Sequence, residues 1–277
     1  MGRSRKLTIA QSLEMCQMYE RGQSLRSLGR AFGICAATVL RYLEGHGIQT
    51  RGISDALAIH NGPGYECHFL DVIDSETKAY LLGFLAADGS VRGNCLRMNL
   101  CMRDLGHLEW VRRVVGDVGK LVIRSQQRTT GMAQLYCEWS VHSRSLVEAL
   151  AAYAIVPNKI RTLPFPRLEA DLIRHYIRGY VDGNGGLYGC RGTRGRDMQF
   201  QVTSNRAWCE GAQAILMSAC GLRRTKLDAF PVGRSGIEVF GLRWNGRRQV
   251  CRIYHYLYDG ATCWLPRKRQ HVEPYTI

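Results

Sequence analysis

The sequence predicts an α+β protein made of two pseudo-symmetric αββαββα repeats in tandem, preceded by a small all-α helix-turn-helix domain. Three observations carry that expectation. The segment "LLGFLAADG" at 81–89 has a counterpart, "IRGYVDGNG", at 177–185. Each is followed by the same succession of strand-like and helical stretches, and a repeated unit of this length implies two halves docked through matched patches about a pseudo-twofold axis. Ahead of both, residues 1–52 show helical spacing punctuated by glycine.

In chain order, "TIAQSLEMCQMYER" (8–21) places Ile9, Leu13 and Cys16 near one face of a helix that Gly22 ends. A helix from Ser24, a break at Gly33-Ile34 and a second helix from Ala36 to Glu44 make a helix-turn-helix pattern. Leu25, Leu28, Phe32, Ile34, Val39 and Leu43 can form its core, which leaves Ala36, Ala37, Thr38, Arg41 and Tyr42 to face a major groove. Eight Arg or Lys against three Glu give this module a net charge of +5. A plain helical hairpin is the alternative, since the pattern demands no particular chemistry. Residues 53–73, polar and glycine-rich around Gly62 and Gly64, read as a linker, with the repeats at 74–166 and 167–277.

The first repeat continues with strand-like "CLRMNLCM" (95–102), a helix in "RDLGHLEWVRRVVG", strand-like "KLVIRSQQ" and "LYCEWSVHS", and a helix "SLVEALAAYAIV" closing at Pro157-Asn158-Lys159. The second gives "MQFQVTS" (198–204), a helix in "NRAWCEGAQAILMSACG", strand-like "RRTKLDAF" and "IEVFGLRW", and a helix "RRQVCRIYHYLY" with Pro266-Arg267-Lys268 after it. In the opening helices Gly83 and Ala87 lie four apart, as do Gly179 and Gly183, so each has a stripe of minimal side chains along which two backbones can touch. Asp88 and Asn184 follow the stripe and end their helices beside the axis, with Gly89 and Gly185 expected in a left-handed stop. A buried apolar helix stops on a carboxylate because the pair delivers it to a shared point.

Composition narrows the partner. The chain has 277 residues, 45% of them hydrophobic, enough for a substantial core. Its formal net charge of +15 favours a polyanion, nucleic acid by default, over an acidic substrate pocket. Only six of the 38 basic residues are Lys, so the cationic surface is mostly guanidinium, suited to phosphates and guanine edges. No apolar stretch approaches the ~20 residues of a membrane span and the start lacks a signal-peptide core. A soluble, cytoplasmic protein without membrane contact is expected. Eleven cysteines with no CxxC pair read as small buried hydrophobes in a reducing compartment, and Cys67-His68 has no partners for a zinc site.

The two motifs, the order of elements and the closing Pro-x-Lys segments make residues 74–270 resemble the double-motif LAGLIDADG homing endonucleases, beside which an N-terminal helix-turn-helix is a known accessory. The resemblance implies a saddle of two four-stranded antiparallel sheets along the major groove of double-stranded DNA, with Mg²⁺-dependent cleavage of both strands at the base of the helix pair. It also implies an intron or other mobile element as host. Asp88 takes the place of the family's metal-binding acid, and Asn184 stands where the second acid belongs. An amide oxygen can coordinate Mg²⁺ but brings no charge, so the second metal position is expected to be weaker. Asp182 lies about 200° round the helix from Asn184 and should face elsewhere.

Lys159 and Lys268 fall at matched places, and the resemblance allows them a role near the phosphates; ordinary helix-end cations are the alternative. Arg97, Arg124, Gln126, Arg128, Gln201, Arg223, Arg243 and Asn245 supply donors that a groove-reading sheet needs. Arg191 and Arg194, in the glycine-rich tip "RGTRGRD", suit phosphate contacts. The amide at 184 leaves open cutting of both strands, nicking of one, or a DNA-binding regulator that has lost cleavage; an intron RNA maturase is a further alternative. With both halves on one chain, a monomer is expected.

Overall fold

The computed structural model describes residues 7–21, 23–50, 68–117, 121–127, 133–188, 198–232 and 236–273. The chain divides into two units, one holding the N-terminal helices and the other both repeats. In the first, α1 (Ile9–Glu20) starts on a reciprocal cap: Gln11 N–H donates to the Thr8 hydroxyl at 3.2 Å and Thr8 N–H to the Gln11 amide oxygen at 3.1 Å. Ser24 caps α2 (Leu25–Phe32), and Gly33, at φ 67°, ends it in the left-handed region and turns the chain into α3 (Ala36–Gly45). Met15, Cys16, Tyr19, Leu28, Val39 and Leu43 form the core, with Leu25, Phe32 and Ile34 packed against it.

The buried face of α1 is Ser12, Met15, Cys16 and Tyr19, not the expected stripe of Ile9, Leu13 and Cys16; Ile9 is 79% exposed and Leu13 48%. Met15 and Tyr19 offer larger side chains to bury. Ser12 can go inside because its hydroxyl donates to Ile9 O and meets His46 Nε2 at 3.0 Å.

In the second unit α4 (Glu76–Asp88) passes directly into β1 (Gly89–Arg92), followed by β2 (Cys95–Cys101), α5 (Leu105–Val114), β3 (Val122–Gln127), β4 (Ala133–His142) and α6 (Arg144–Ala152). The second repeat runs α7 (Ile173–Asn184), β5 (Gly185–Tyr188), β6 (Gln199–Ser204), α8 (Arg206–Cys220), β7 (Asp228–Ala229), β8 (Phe240–Asn245), α9 (Arg247–Tyr258) and α10 (Pro266–Val272). The sheets are antiparallel with equivalent orders, β1-β2-β4-β3 and β5-β6-β8-β7. Two such sheets in a mixed α+β unit, with the three-helix module ahead of it, are the architecture the repeat predicts.

The least symmetric part is β7, two residues long, so Arg223 does not lie on a strand. Side chains take the carbonyls that a neighbouring strand would use: Trp244 Nε1 donates to Arg223 O and Gln213 Nε2 to Thr225 O. Among the described cysteines Cys16, Cys137, Cys209, Cys220 and Cys263 are buried as expected. Cys35 is exposed, and Cys95 and Cys101 are half-buried because strand parity puts them on the solvent face of β2. No helix among the described residues is long and apolar enough to cross a membrane.

Helices α4 and α7 pack backbone to backbone. A methyl group placed on Gly83 would overlap the Tyr176 carbonyl oxygen, and one on Gly179 would overlap the Tyr80 carbonyl oxygen. The contact is reciprocal, residue for residue, as an isologous interface must be. Further along, a Cβ on Gly183 would overlap the Ala87 methyl. Gly89 (φ −68°) and Gly185 (φ −134°) are extended rather than left-handed, because each helix gives way to a strand without a turn. Their missing Cβ is explained by space: at Gly89 it would sit 2.6 Å from Leu85 O, at Gly185 2.8 Å from Gln201 O.

Helix α4 is buried on all sides from Ala79 to Ala86, whereas α7 buries two charges, Arg178 and Asp182, both at 0% exposure. Arg178 donates to Glu76 Oε1 (2.6 Å), Leu257 O (2.8 Å) and Cys263 O (2.9 Å). Asp182 accepts from Tyr258 (2.6 Å), Leu265 N–H (2.8 Å) and Tyr80 (2.9 Å). Paired in this way, buried charges are tolerated.

Gly83→Ala or Gly179→Ala should each lower stability by about 3 kcal/mol or more, because the obstructing atoms are backbone and cannot repack. Gly106→Ala, on the exposed side of α5 with open space around it, should raise stability by about 0.5–1 kcal/mol. Urea unfolding of the three variants reads both outcomes.

Candidate active site at the paired helix ends

The close approach of α4 and α7 fixes where their last residues lie. The Asp88 carboxyl packs on Gly183: a Cβ there would sit 3.3 Å from Asp88 Cγ and 3.4 Å from Oδ1. Asn184 belongs to the second repeat, yet it lines a cavity of about 250 Å³ edged by Ala87, Gly89, Asn158 and Lys159 of the first. Its Nδ2 lies 3.5 Å from the Tyr180 hydroxyl, which in turn donates to Ser204 Oγ at 2.7 Å. The expected helix-pair interface of Gly83, Ala87, Gly179 and Gly183 thus brings the Asp88 and Asn184 helix ends together.

Each lysine reaches the helix end of its own half. Lys159 Nζ donates to Gly89 O and Lys268 Nζ to Gly185 O, equivalent carbonyls in the two repeats. The segments that carry them are held by crossed tethers, each from the start of a helix in the other half. Asp104, 4% exposed, accepts from Arg267 Nε through both oxygens at 2.7 and 2.9 Å, and Asn205 Nδ2 donates to Leu163 O at 2.8 Å. Sequence reasoning missed Asp104, Arg267 and Asn205; the available signal was an acid or amide before a helix, which reads as an ordinary cap.

Electrostatically the site is under tension. Burial pushes the Asp88 carboxyl up to about 6, against the pull of Lys159, Lys268 and Arg267, while Asp104 adds to the rise. Burial also lowers both lysines, opposed by Asp88. Asp182 is likewise raised by burial, but its oxygens are taken by Tyr258, Leu265 and Tyr80, so it is a packing group facing away from the cavity.

Among the described residues no three His, Cys, Asp or Glu side chains converge to cage a metal ion. One carboxylate and one amide oxygen fit instead a hard divalent cation that takes its remaining ligands from water and substrate oxygens.

On the sheets, Arg97, Arg124 and Gln126 lie on the exposed face of the first, and Gln201, Arg243 and Asn245 on that of the second. Arg128, Arg191 and Arg194 fall outside the described residues. In the N-terminal unit Arg41 is exposed and donates to the Thr38 hydroxyl at 3.3 Å. Thr38 itself is 6% exposed and Tyr42 packs on the core with its hydroxyl accepting from Leu7 N–H, so neither stands free on a surface as expected; both sit on the inward side of α3.

A family profile described as the CENP-B N-terminal DNA-binding domain matches residues 2–45. No curated protein matches the chain. Among solved structures it is similar to the homing endonuclease I-WcaI bound to its DNA recognition sequence, at 7% identity and a TM-score of 0.49 over 82% of this chain and 96% of that one. It is similar also to the LAGLIDADG homing endonuclease I-GzeII in complex with its DNA target, at 10% identity and 0.46 over 72% and 88%. Mesophilic variants of the homing endonuclease I-DmoI follow at 14% and 0.38 over 74% and 97%.

A carboxylate whose folded pKa is about 6 against an ordinary 3.8 binds protons more tightly when folded, so it costs stability as pH rises between those values, on the order of 3 kcal/mol in all. Asp88→Asn removes that cost. The variant should match the parent at pH 4 and exceed it by several degrees in Tm at pH 7.5, measured without divalent ions.

Proposed function

We propose that the chain is a site-specific DNA endonuclease of the LAGLIDADG type that acts as a monomer on double-stranded DNA. The supporting observation is a largely desolvated carboxylate, Asp88, held at the junction of two pseudo-symmetric halves beside two half-buried lysines. When bound, Mg²⁺ supplies the electrophilic activation that phosphodiester hydrolysis needs. Asp88 is the anionic ligand for it, and Asn184 offers a neutral oxygen across the helix pair. Lys159 and Lys268 hold positive charge where the scissile phosphates gain negative charge. Asp88 would hold the ion as a carboxylate, and the desolvation that costs stability in the free protein would strengthen that ligation.

The two halves are unequal. With one acid and one amide, the strand served by Asp88 is cut faster than its complement, and nicked DNA accumulates. The N-terminal unit, similar to a DNA-binding domain and presenting Arg41 on its third helix, adds a second contact to the duplex. A second reading, DNA binding without cleavage, is favoured by the uncharged Asn184.

A supercoiled plasmid carrying the junction at which the chain's own gene is inserted, incubated with Mg²⁺, separates the readings. Open-circular product should precede linear. Asp88→Ala should abolish both, Lys159→Met slow them by about 10²-fold, and Asn184→Asp speed the second cut. Retention of the plasmid in a gel shift with neither product, in Mg²⁺ or Mn²⁺, would replace the endonuclease with the binding protein.

A further inference from the structure

Among the described strand residues the solvent face of the first sheet carries three arginines, Arg92, Arg97 and Arg124, and that of the second carries one, Arg243. On the first sheet Glu138, in the middle of β4, has a side chain only 7% exposed. It is gripped by Arg124 of β3 at 3.0 Å and Arg97 of β2 at 3.7 Å, whose side chains are 51% and 52% exposed. Strand parity puts Asn99 and Val122 opposite Glu138 and the two arginines on diagonals from it, so the three charges form a row across three strands. Arg124 spends Nε and one terminal nitrogen on a single carboxylate oxygen. The far edge of the planar guanidinium, with the other terminal nitrogen, faces away from that carboxylate. Arg92 adds a further exposed guanidinium to this face, and Glu138 is the single acid among its described strand residues.

On the second sheet the arginine of β8, Arg243, is turned to Asp228 at 3.6 Å. Around it lie amides and a hydroxyl: Gln201 and Thr203 on β6, and Gln199 donating to Asn245 Oδ1 at 2.8 Å. Amides are as many on the first face, at Asn99, Gln126 and Gln134, so the contrast between the faces rests on the number of arginines.

We propose that the two sheets read half-sites of different composition, guanine-rich under the first and adenine-rich under the second, and that Glu138 sets the first preference by fixing Arg97 and Arg124. This rests on the DNA reading above. A guanidinium with a fixed plane matches guanine O6 and N7 bidentately, while Gln and Asn match adenine N6 and N7. Left unpinned, an arginine beside DNA contacts the nearest phosphate, which carries no sequence. Glu138 is therefore a positioning residue. Its carboxylate weakens overall attraction to the duplex and in return makes the attraction selective.

The test is selection of bound duplexes from a randomised library by the full-length protein in Ca²⁺. Parallel arms carry Glu138→Gln, Gln201→Ala and Arg41→Ala, the last marking base pairs read by the N-terminal helices. The parent should return guanine in one half of the remaining site and adenine in the other. Glu138→Gln should reduce guanine enrichment about tenfold or more there, leave adenine unchanged, and raise affinity for random duplex. Gln201→Ala should lower adenine enrichment alone. Equal composition in the two halves, or a Glu138→Gln effect spread evenly over both, would overturn the inference while leaving DNA recognition standing. Failure to enrich any duplex would remove both.

Discussion

The rest of the structure depends on two glycines that let two helices touch. With Gly83 under the Tyr176 carbonyl and Gly179 under the Tyr80 carbonyl, α4 and α7 meet at backbone distance, closer than side chains would permit. That separation fixes which residues end beside the axis, and at what spacing, before any chemistry enters. The tyrosines that supply the facing carbonyls also organise what surrounds the helices. Tyr80 donates to Asp182, while Tyr176 accepts from Trp208 Nε1 at 3.1 Å. The same four positions therefore set the contact between the halves and the core inside each.

Around this pair the fold binds its later segments with buried polar groups. Arg178 and Asp182, one turn apart on α7, hold the carbonyls of Leu257 and Cys263 and the N–H of Leu265. This ties the chain leading into α10, and so Lys268, to the helix that ends in Asn184. The Asp104–Arg267 pair and the Asn205–Leu163 bond then cross between the halves. Displacing one half relative to the other would pull both lysine-bearing segments away from Gly89 and Gly185. Geometry at the helix ends is thus overdetermined, the kind of support that a preorganised site needs.

Stability and chemistry oppose each other at Asp88. A half-buried carboxylate packed against small residues, with two partly desolvated lysines nearby, costs folding energy in the free protein. Such strain is found where a ligand will later relieve it. Asp88 and Asn184 end equivalent helices that pass into equivalent strands, so at this point the difference between the halves is chemical and not architectural. A similar division runs through the sheets: strand order is shared, while charge is distributed differently.

The α+β class, the tandem repeat, the helix-turn-helix and the small-residue stripes were all legible in the sequence, because they follow from local periodicity and self-similarity. So was the equivalent place of Asp88 and Asn184 at the ends of α4 and α7, since a repeat carries register with it. Other features were decided only by the tertiary structure. Arg178, in the middle of a motif, reads as a surface cation until three carbonyl and carboxylate groups from distant segments close on it. Thr38 and Tyr42 were placed outward by helix position alone, and the choice of face on α1 went to Met15 and Tyr19 over Ile9 and Leu13. Gly89 and Gly185 suggest left-handed caps locally, yet their backbones are extended and the reason for glycine is the nearness of other atoms. Sequence spacing fixes which residues share an element; which partners desolvate and satisfy them depends on contacts far apart along the chain, and those exist only once the two halves have docked.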